Sequence, residues 1–473
     1  APNAFLTLTQ GIFRISGSFV FSRIFFSSPN YTINTNSGLW VDNAQVTVLG
    51  ANGTITLEGL LRLTNGTINI GTAAGNDLIY SSTTAQAPRI EISNGNLNVS
   101  GRLSRSANAA DSLQYTQTGG KATVGTSGSS SADRGMFDIS QTTSTFNWSG
   151  GDIELNSGTG CADGDFHVLA GSGAVSGNGS LIVNATLPAQ TVRVNTDKAI
   201  PNFVELAANS PQVVLTGNNL TVSNEINLAG AGADRFLQNT QDITLYGNWT
   251  NNFTAPAGFN SGSRTVTFAG GAAQYVRGAQ ETYFYNVTLN KTDNAPSDTT
   301  YHVFMDTAMR VNGELRIVSN TFLDMQYDTL TIGPTGNCYS SPIGFDQAFS
   351  SKKFVMNSMS GFDGGKIRKM MTPDVTPPIP EVNFLFPAGS YVWDAMNNST
   401  PSYTPAVIKI YHDSADYGAN ASVSLKLVPR EHPQVETPGV YFKKYWVVKT
   451  EDIVFKPIRT CDFMAYFDPL SIQ

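Results

Sequence analysis

Six pentapeptides of the form Gly-x-Φ-x-Φ, with Φ mostly aliphatic, recur through the first 183 residues: GTITL (Gly53–Leu57), GTINI (Gly66–Ile70), GNLNV (Gly95–Val99), GKATV (Gly120–Val124), GDIEL (Gly151–Leu155) and GSLIV (Gly179–Val183). From Gly66 onward the glycines are 29, 25, 31 and 28 residues apart. Glycine accepts positive φ at a corner, and two aliphatics two positions apart point to the same side of the strand that follows. One such motif per ~25–30 residues matches the length of one coil of a parallel β-solenoid, where each coil buries its aliphatics on its neighbours. A sandwich of hairpins also gives short strands between turns, but not one motif in constant phase at this spacing. The expected architecture is all-β, a right-handed parallel β-helix over residues 1–370.

A longer repetition runs through residues 180–335. Pro188–Val194 resembles Ala272–Gly278, Asn202–Leu206 resembles Asn286–Leu289, Leu220–Leu228 resembles Met309–Ile317, and Asp242–Gly247 resembles Asp328–Gly333. The four offsets are 84, 84, 89 and 86 residues in the same order. About three coils fit in that length, so the larger unit reads as a three-coil cassette. Around 371–382 the chain reads TPDVTPPIP, and its prolines cannot donate to a sheet ladder, which marks a linker. Beyond it, Asn383–Phe386, Tyr403–Tyr411, Ala421–Val428, Tyr441–Val448 and Met464–Phe467 read as strands of an antiparallel β-sandwich over 383–473. So few strands leave the sandwich incomplete. A chain that opens Ala1-Pro2-Asn3 without an initiator Met is likewise expected to have lost its start.

Composition narrows the classes of function. Only 14% of the 473 residues are charged, with a net charge of −7 and 10% aromatics, so the chain folds but has no basic stripe for nucleic acid. No apolar run approaches the length that spans a bilayer. Cys161, Cys338 and Cys461 are odd in number and far apart, which gives neither a disulfide framework nor a CxxC metal spacing; one pair, or a partner beyond Gln473, stays open. Scarce cysteine and lysine with abundant Asn, Thr and Ser suit an exported surface.

Candidate sites are few. The four histidines, His167, His302, His412 and His432, include no pair at metal-ligand spacing. In CADGDFH (Cys161–His167), Asp163 and Asp165 offer oxygens to a calcium ion, against the alternative that they cap their own turn. His412, Asp413 and Asp416 are weighed against a solvated loop. Arg193 and Arg277 recur at matched cassette positions, suited either to an acidic glycan or to covering apolar surface with their stems. Alternation puts Phe284 opposite Tyr283 and Tyr285, so the cluster belongs to the core more than to a sugar platform. The Asn-x-Ser/Thr triplets at Asn98, Asn248 and Asn286 are what an Asn/Thr-rich chain makes by chance. No catalytic set and no cofactor motif emerges.

The stretch TVTFAGGAAQYVRG (Thr265–Gly278) followed by TYFYNVTLNKT (Thr282–Thr292), with Gly247–Trp249 before it and Val311–Leu315 after it, resembles the β-helical repeat of large Bacteroidota surface proteins. Phe386–Gly389, Tyr403–Ala406, Tyr445–Val448 and Gly364–Lys369 resemble the β-sandwich that follows such helices and the coil that leads into it. The resemblance covers most of the chain and is weakest before residue 180. It implies export by the type IX secretion machinery, display on or release from the outer membrane, and roles as adhesins or gliding-related filaments, with a sorting domain outside this segment. It also implies O-glycosylation at Asp-Ser/Thr sites, which here are Ser112, Thr299, Thr307, Thr329 and Ser414. The expected function is an extracellular stalk or adhesin segment that binds glycans or partner proteins and is neither an enzyme nor inserted in a membrane. The alternatives are a subunit that self-assembles into a filament or matrix, and a polysaccharide-cleaving β-helix enzyme.

Overall fold

The glycine-headed pentapeptides stack directly on one another. The structure, a computed structural model, describes residues 6–26, 29–82, 86–185, 191–207, 212–231, 235–292, 302–339, 350, 352–358, 364–373, 381–393, 399–411, 415–429, 444–457 and 461–466. They form about 12 turns of a parallel β-solenoid and a set of antiparallel strands, with one 3-10 turn, Pro256–Gly258, as the only helix among the described residues. The chain divides into two units, Ala1–Ile243 with Phe253–Gly258, and Thr244–Asn252 with Phe259–Gln473.

In the first unit the repeats lie in the strands Leu60–Ile70, Asn96–Val99, Gln114–Val124, Thr145–Leu155 and Ser180–Val183, all paired in parallel. Their first Φ residues make one buried column, Ile68–Leu97–Ala122–Ile153–Leu181, and their second make another, Ile70–Val99–Val124–Leu155–Val183. Each large aliphatic removed from water in this way contributes about 1.5–3 kcal/mol. The copy at Gly53 falls on a different sheet, where Ile55 and Leu57 stack on Leu78 and Tyr80. Its parity is the same because every face of a coil alternates in and out. Further along that second sheet the inward column holds Leu103, Phe137, Phe166 and Val194, with Phe137 and Phe166 stacked at 5.6 Å.

The corner glycines are required for two reasons. Gly95, Gly120 and Gly151 have φ of +85°, +65° and +76°. A Cβ on each would lie 2.4, 2.6 and 2.3 Å from the carbonyl oxygen of the glycine one coil below, Gly66, Gly95 and Gly120 respectively. Gly151→Ala is therefore expected to cost about 2–3 kcal/mol, from left-handed strain plus a backbone clash. Denaturant melting of the variant measures it, and a curve superimposable on the parent's would mean the corner relaxes freely.

The inward columns also carry charge. Glu205 continues the second column between Val183 and Leu228, fully buried, and its Oε1 lies 3.2 Å from Arg235 Nη2.

The second unit has three strands per coil. One ladder runs Thr265–Gly270, Asn286–Lys291, Glu314–Ile317, Asn337–Tyr339. A second runs Gln274–Gly278, Val303–Met305, Phe322–Asp324, Phe354–Ser358. The third is Thr282–Phe284, Met309–Val311, Thr329–Ile332, Lys366–Met370. Past Met370, Ala388–Trp393 still adds in parallel to Phe354–Ser358, and then pairs antiparallel with Ser399–Tyr403. Ala415–Val428 joins Lys366–Met370 antiparallel and then pairs antiparallel with Tyr445–Phe455. Val382–Phe386, Ala406–Ile410 and Cys461–Ala465 make a separate antiparallel sheet. The linker prolines of 374–380 lie outside the described residues.

Two lysines point into this unit. Lys291 Nζ donates to the carbonyls of Ala269 (3.4 Å) and Ala272 (2.6 Å) and to Gln274 Oε1. Lys369 Nζ donates to the carbonyls of Gly333, Pro334 and Gly336 at 2.6, 2.8 and 2.6 Å. Both plug the corner of the preceding coil, where the chain leaves its ladder and its carbonyls face inward.

Candidate functional site

Because the coils of the first unit pair in register, one outward residue per coil falls into a straight line. On the face formed by Gly11–Ser16, Ser37–Leu49, Leu60–Ile70, Arg89–Ile92, Gln114–Val124 and Thr145–Leu155, that line reads Arg14, Trp40, Arg62, Glu91, Thr116, Asn147. Neighbours in it are separated by one strand spacing, about 4.8 Å. The guanidinium carbons of Arg14 and Arg62 sit 3.9 and 4.5 Å from the Trp40 ring centroid, a cation–π contact from each neighbouring coil. Trp40 Nε1 donates to Thr64 Oγ1 at 2.9 Å, and Thr64 in turn donates to Asp42. The hydrogen bonds from Thr64 and then from Arg14 hold the Asp42 carboxyl below the usual carboxylate range. Arg62 Nε lies 3.3 Å from Glu91 Oε2, and Arg89 Nη1 lies 3.6 Å from Glu91 Oε1.

Beside this line, Arg62, Thr64, Glu91, Ser93, Thr116 and Thr118 border a groove of about 270 Å³ that crosses three consecutive coils. The outward rows that continue past it carry no charge: Thr145, Asn147 and Ser149, then Ser172, Ala174 and Ser176. Thr145 Oγ1 and Ser172 Oγ are 2.8 Å apart, and Ala174 N donates to Asn147 Oδ1 at 3.0 Å, so these rows are laced together from coil to coil. On the adjoining face, Asn98 Nδ2 donates to Asn69 Oδ1 (2.9 Å), and Asn94 Nδ2 to Asn65 Oδ1 (3.0 Å) at the corner. This is fixed polar surface on strands, with little side-chain entropy left to lose on contact.

The structure resolves most of the candidate residues. Asp165 is fully buried. Its Oδ1 accepts the Thr159 N–H at 2.6 Å and the Thr159 hydroxyl at 2.8 Å, and its Oδ2 accepts the Arg193 N–H at 2.8 Å. It caps backbone, and Asp163 points to solvent, so the two carboxylates do not converge on a calcium ion. Among the described residues no group of three or more Asp, Glu, His or Cys is placed to hold a metal. Arg193 and Arg277 are both half-buried, and Arg277 Nε donates to Thr250 Oγ1 at 3.1 Å on the preceding coil. Phe284 is buried against Trp249 and Phe259, with Tyr283 and Tyr285 on the other side of the strand. Asp416 pairs with Lys456 at 2.8 Å, and His412 and Asp413 lie outside the described residues. Of the Asp-Ser/Thr positions, Ser112, Thr307 and Thr329 are half-buried, and Thr299 and Ser414 lie outside the described residues. Cys161, Cys338 and Cys461 are free thiols, the first two buried.

One pair escaped the sequence reading. His167 Nδ1 lies 3.4 Å from Asp138 Oδ1, one coil away on the second sheet. Burial pushes the Asp138 carboxyl up, but the nearby His167 and Ser140 outweigh it and leave its pKa low. The two residues are 29 apart, one coil length, which is the only signal that could have joined them. Asp138 is buried and His167 half-buried, so the pair sits within the second sheet.

No helix is long and apolar enough to cross a membrane among the described residues. Comparison with protein families, with curated proteins and with solved structures finds no match.

Proposed function

We propose that this chain is a non-catalytic, extracellular segment of a surface protein, whose solenoid presents a polar face for adhesion to glycans or to other surface proteins. The groove across Arg62, Glu91 and Thr116 and the uncharged rows beyond it carry the proposal. They form a pre-ordered surface with few formal charges to desolvate, so contact costs little ordering and little ion stripping. The resemblance of residues 265–292 and of the C-terminal motifs to Bacteroidota surface proteins supports cell-surface display and export by the type IX machinery as part of the same proposal.

The test is retention of the purified chain on immobilised glycans and on whole bacterial cells, with Ser93→Glu/Thr118→Glu against a control, Thr32→Glu, on the other sheet. The groove variant is expected to be retained at least ten-fold less than the parent and the control. Equal retention of all three would remove the groove from the function.

A second proposal, end-to-end assembly, has its own observation. Ile12 and Phe13 of Gly11–Ser16, Ile24 of Phe21–Ile24, and Phe19 and Val20 in the link between them are exposed, and among the described residues these strands pair only with Ser37–Leu49. Exposed apolar side chains beside strands are a surface on which another chain can pack. Concentration-dependent sizing that Phe13→Lys/Val20→Lys abolishes supports assembly, and a monomer at every concentration excludes it.

A further inference from the structure

We infer that the ligand of the three-coil groove is an extended, uncharged β-(1→4)-linked polysaccharide lying along the stacking direction, one sugar per coil. The inference rests on the adhesive role proposed above and specifies what that face binds.

The first ground is direction. Arg62 and Thr64, Glu91 and Ser93, and Thr116 and Thr118 are contributed by three successive coils. Register pairs Arg62 with Glu91 and Glu91 with Thr116. The groove therefore runs across the strands, and a ligand lying in it meets a new pair of polar side chains at each coil. The second ground is the step. Coils repeat every ~4.8 Å, and an extended β-(1→4)-linked pyranose chain advances by nearly the same distance per sugar. Successive sugars are turned over relative to one another, so each meets its own coil's pair of polar side chains through an alternate edge, and the mismatch in step stays small over three coils. An extended peptide advances only about 3.3 Å per residue, so it falls out of step with the coils from one residue to the next.

The third ground is charge. Arg62 is offset by Glu91 at 3.3 Å, and the rows Thr116–Thr118 and Thr145–Ser149 are uncharged. Arg89 also lies on Glu91, at 3.6 Å, but outside the lining, so within the groove an acidic glycan meets one carboxylate for its one guanidinium. A neutral glycan finds planar guanidinium and carboxylate groups to bridge vicinal hydroxyls, plus hydroxyls on every coil. Trp40 does not serve as a stacking platform, because Arg14 and Arg62 cover the two sides of its ring. Recognition is by hydrogen bonding along the groove, so affinity grows with the number of sugars.

The experiment measures binding of the full chain to β-(1→4)-linked manno-, cello- and chito-oligosaccharides of two to six sugars, and to insoluble cellulose and chitin, with polygalacturonate as the acidic comparison. Affinity for at least one neutral series is expected to rise steeply up to three sugars and to change less than three-fold on raising salt to about 1 M. Thr118→Lys is expected to weaken that binding at least ten-fold with an unchanged melting temperature. Glu91→Gln, which frees Arg62, is expected to gain binding to polygalacturonate. Preference of the parent chain for polygalacturonate, binding that collapses in salt, or neutral binding indifferent to Thr118→Lys would each overturn the inference. Absence of binding to all neutral chains would overturn it too, while retention on cells that depends on Ser93 and Thr118 would leave the adhesive role standing.

Discussion

Glu205→Leu is expected to destabilise the first unit by about 3–5 kcal/mol, although it restores the aliphatic residue that the same column carries at Leu155, Val183 and Leu228. The loss comes from Arg235, which stays buried and cannot shed its proton. Arg235→Met is expected to cost less, because Glu205 left alone escapes as a neutral acid. Burial already raises the Glu205 pKa well above the ordinary range, with the Arg235 charge opposing that rise. The double variant Glu205→Leu/Arg235→Met is expected to return to the parent's stability or exceed it, since two well-packed apolar side chains replace a desolvated pair. Calorimetric unfolding of the four proteins closes the cycle. If both single variants lose the same amount, the argument from proton escape is wrong.

The same pair sets a pH dependence. A carboxyl whose folded-state pKa is raised holds its proton in the folded chain after the unfolded chain has released it. Its contribution to stability is complete below the unfolded value and is lost as pH rises through the folded one. The parent's melting temperature should therefore fall as pH climbs from the ordinary glutamate range upward, and Glu205→Gln should flatten that slope.

Lys369→Met and Lys291→Met are each expected to cost about 3–5 kcal/mol in the second unit. Burial pulls both ammonium groups down to about 8. Against that pull stand three acceptors around each nitrogen, and a neutral amine offers only two N–H donors, so the cradle favours the charged form. Methionine fills the volume but leaves inward carbonyls at the corner without a donor. Arginine is not expected to rescue Lys369, since a planar fork does not match three carbonyls converging on one point. Amide exchange reads the effect locally, because a solenoid loses stability coil by coil. Faster exchange should appear first at residues 333–339 for Lys369→Met and at 269–276 for Lys291→Met. Uniform or unchanged exchange would show that the lysines do not hold these corners.

Much of the fold was legible because inward parity is a local property. Ile68 and Ile70, Leu97 and Val99, Ile153 and Leu155 are two apart after a glycine, and that spacing alone puts both inside. Residue type without parity is a poorer guide. In Asn202–Leu206 the aliphatic Leu206 looks like the core residue, yet counting in twos from Phe203 puts Glu205 inward and leaves Leu206 outside, 42% exposed. For Asp165 the sequence leaves a calcium ligand and a backbone cap open, and the structure shows the cap, its oxygens taken by Thr159 and Arg193.

By itself the sequence determined the all-β solenoid, the glycine corners and the polar, low-charge outer surface, because coil length, turn chemistry and alternation are written within a single coil. Only the tertiary structure decided which residues become neighbours. Arg14, Trp40, Arg62, Glu91 and Thr116 lie 22 to 29 residues apart, and no short motif joins them. Loops of unequal length separate the coils, so sequence spacing drifts while hydrogen-bond register does not. Register is a property of paired backbones, and it alone turns five scattered side chains into one line beside a groove.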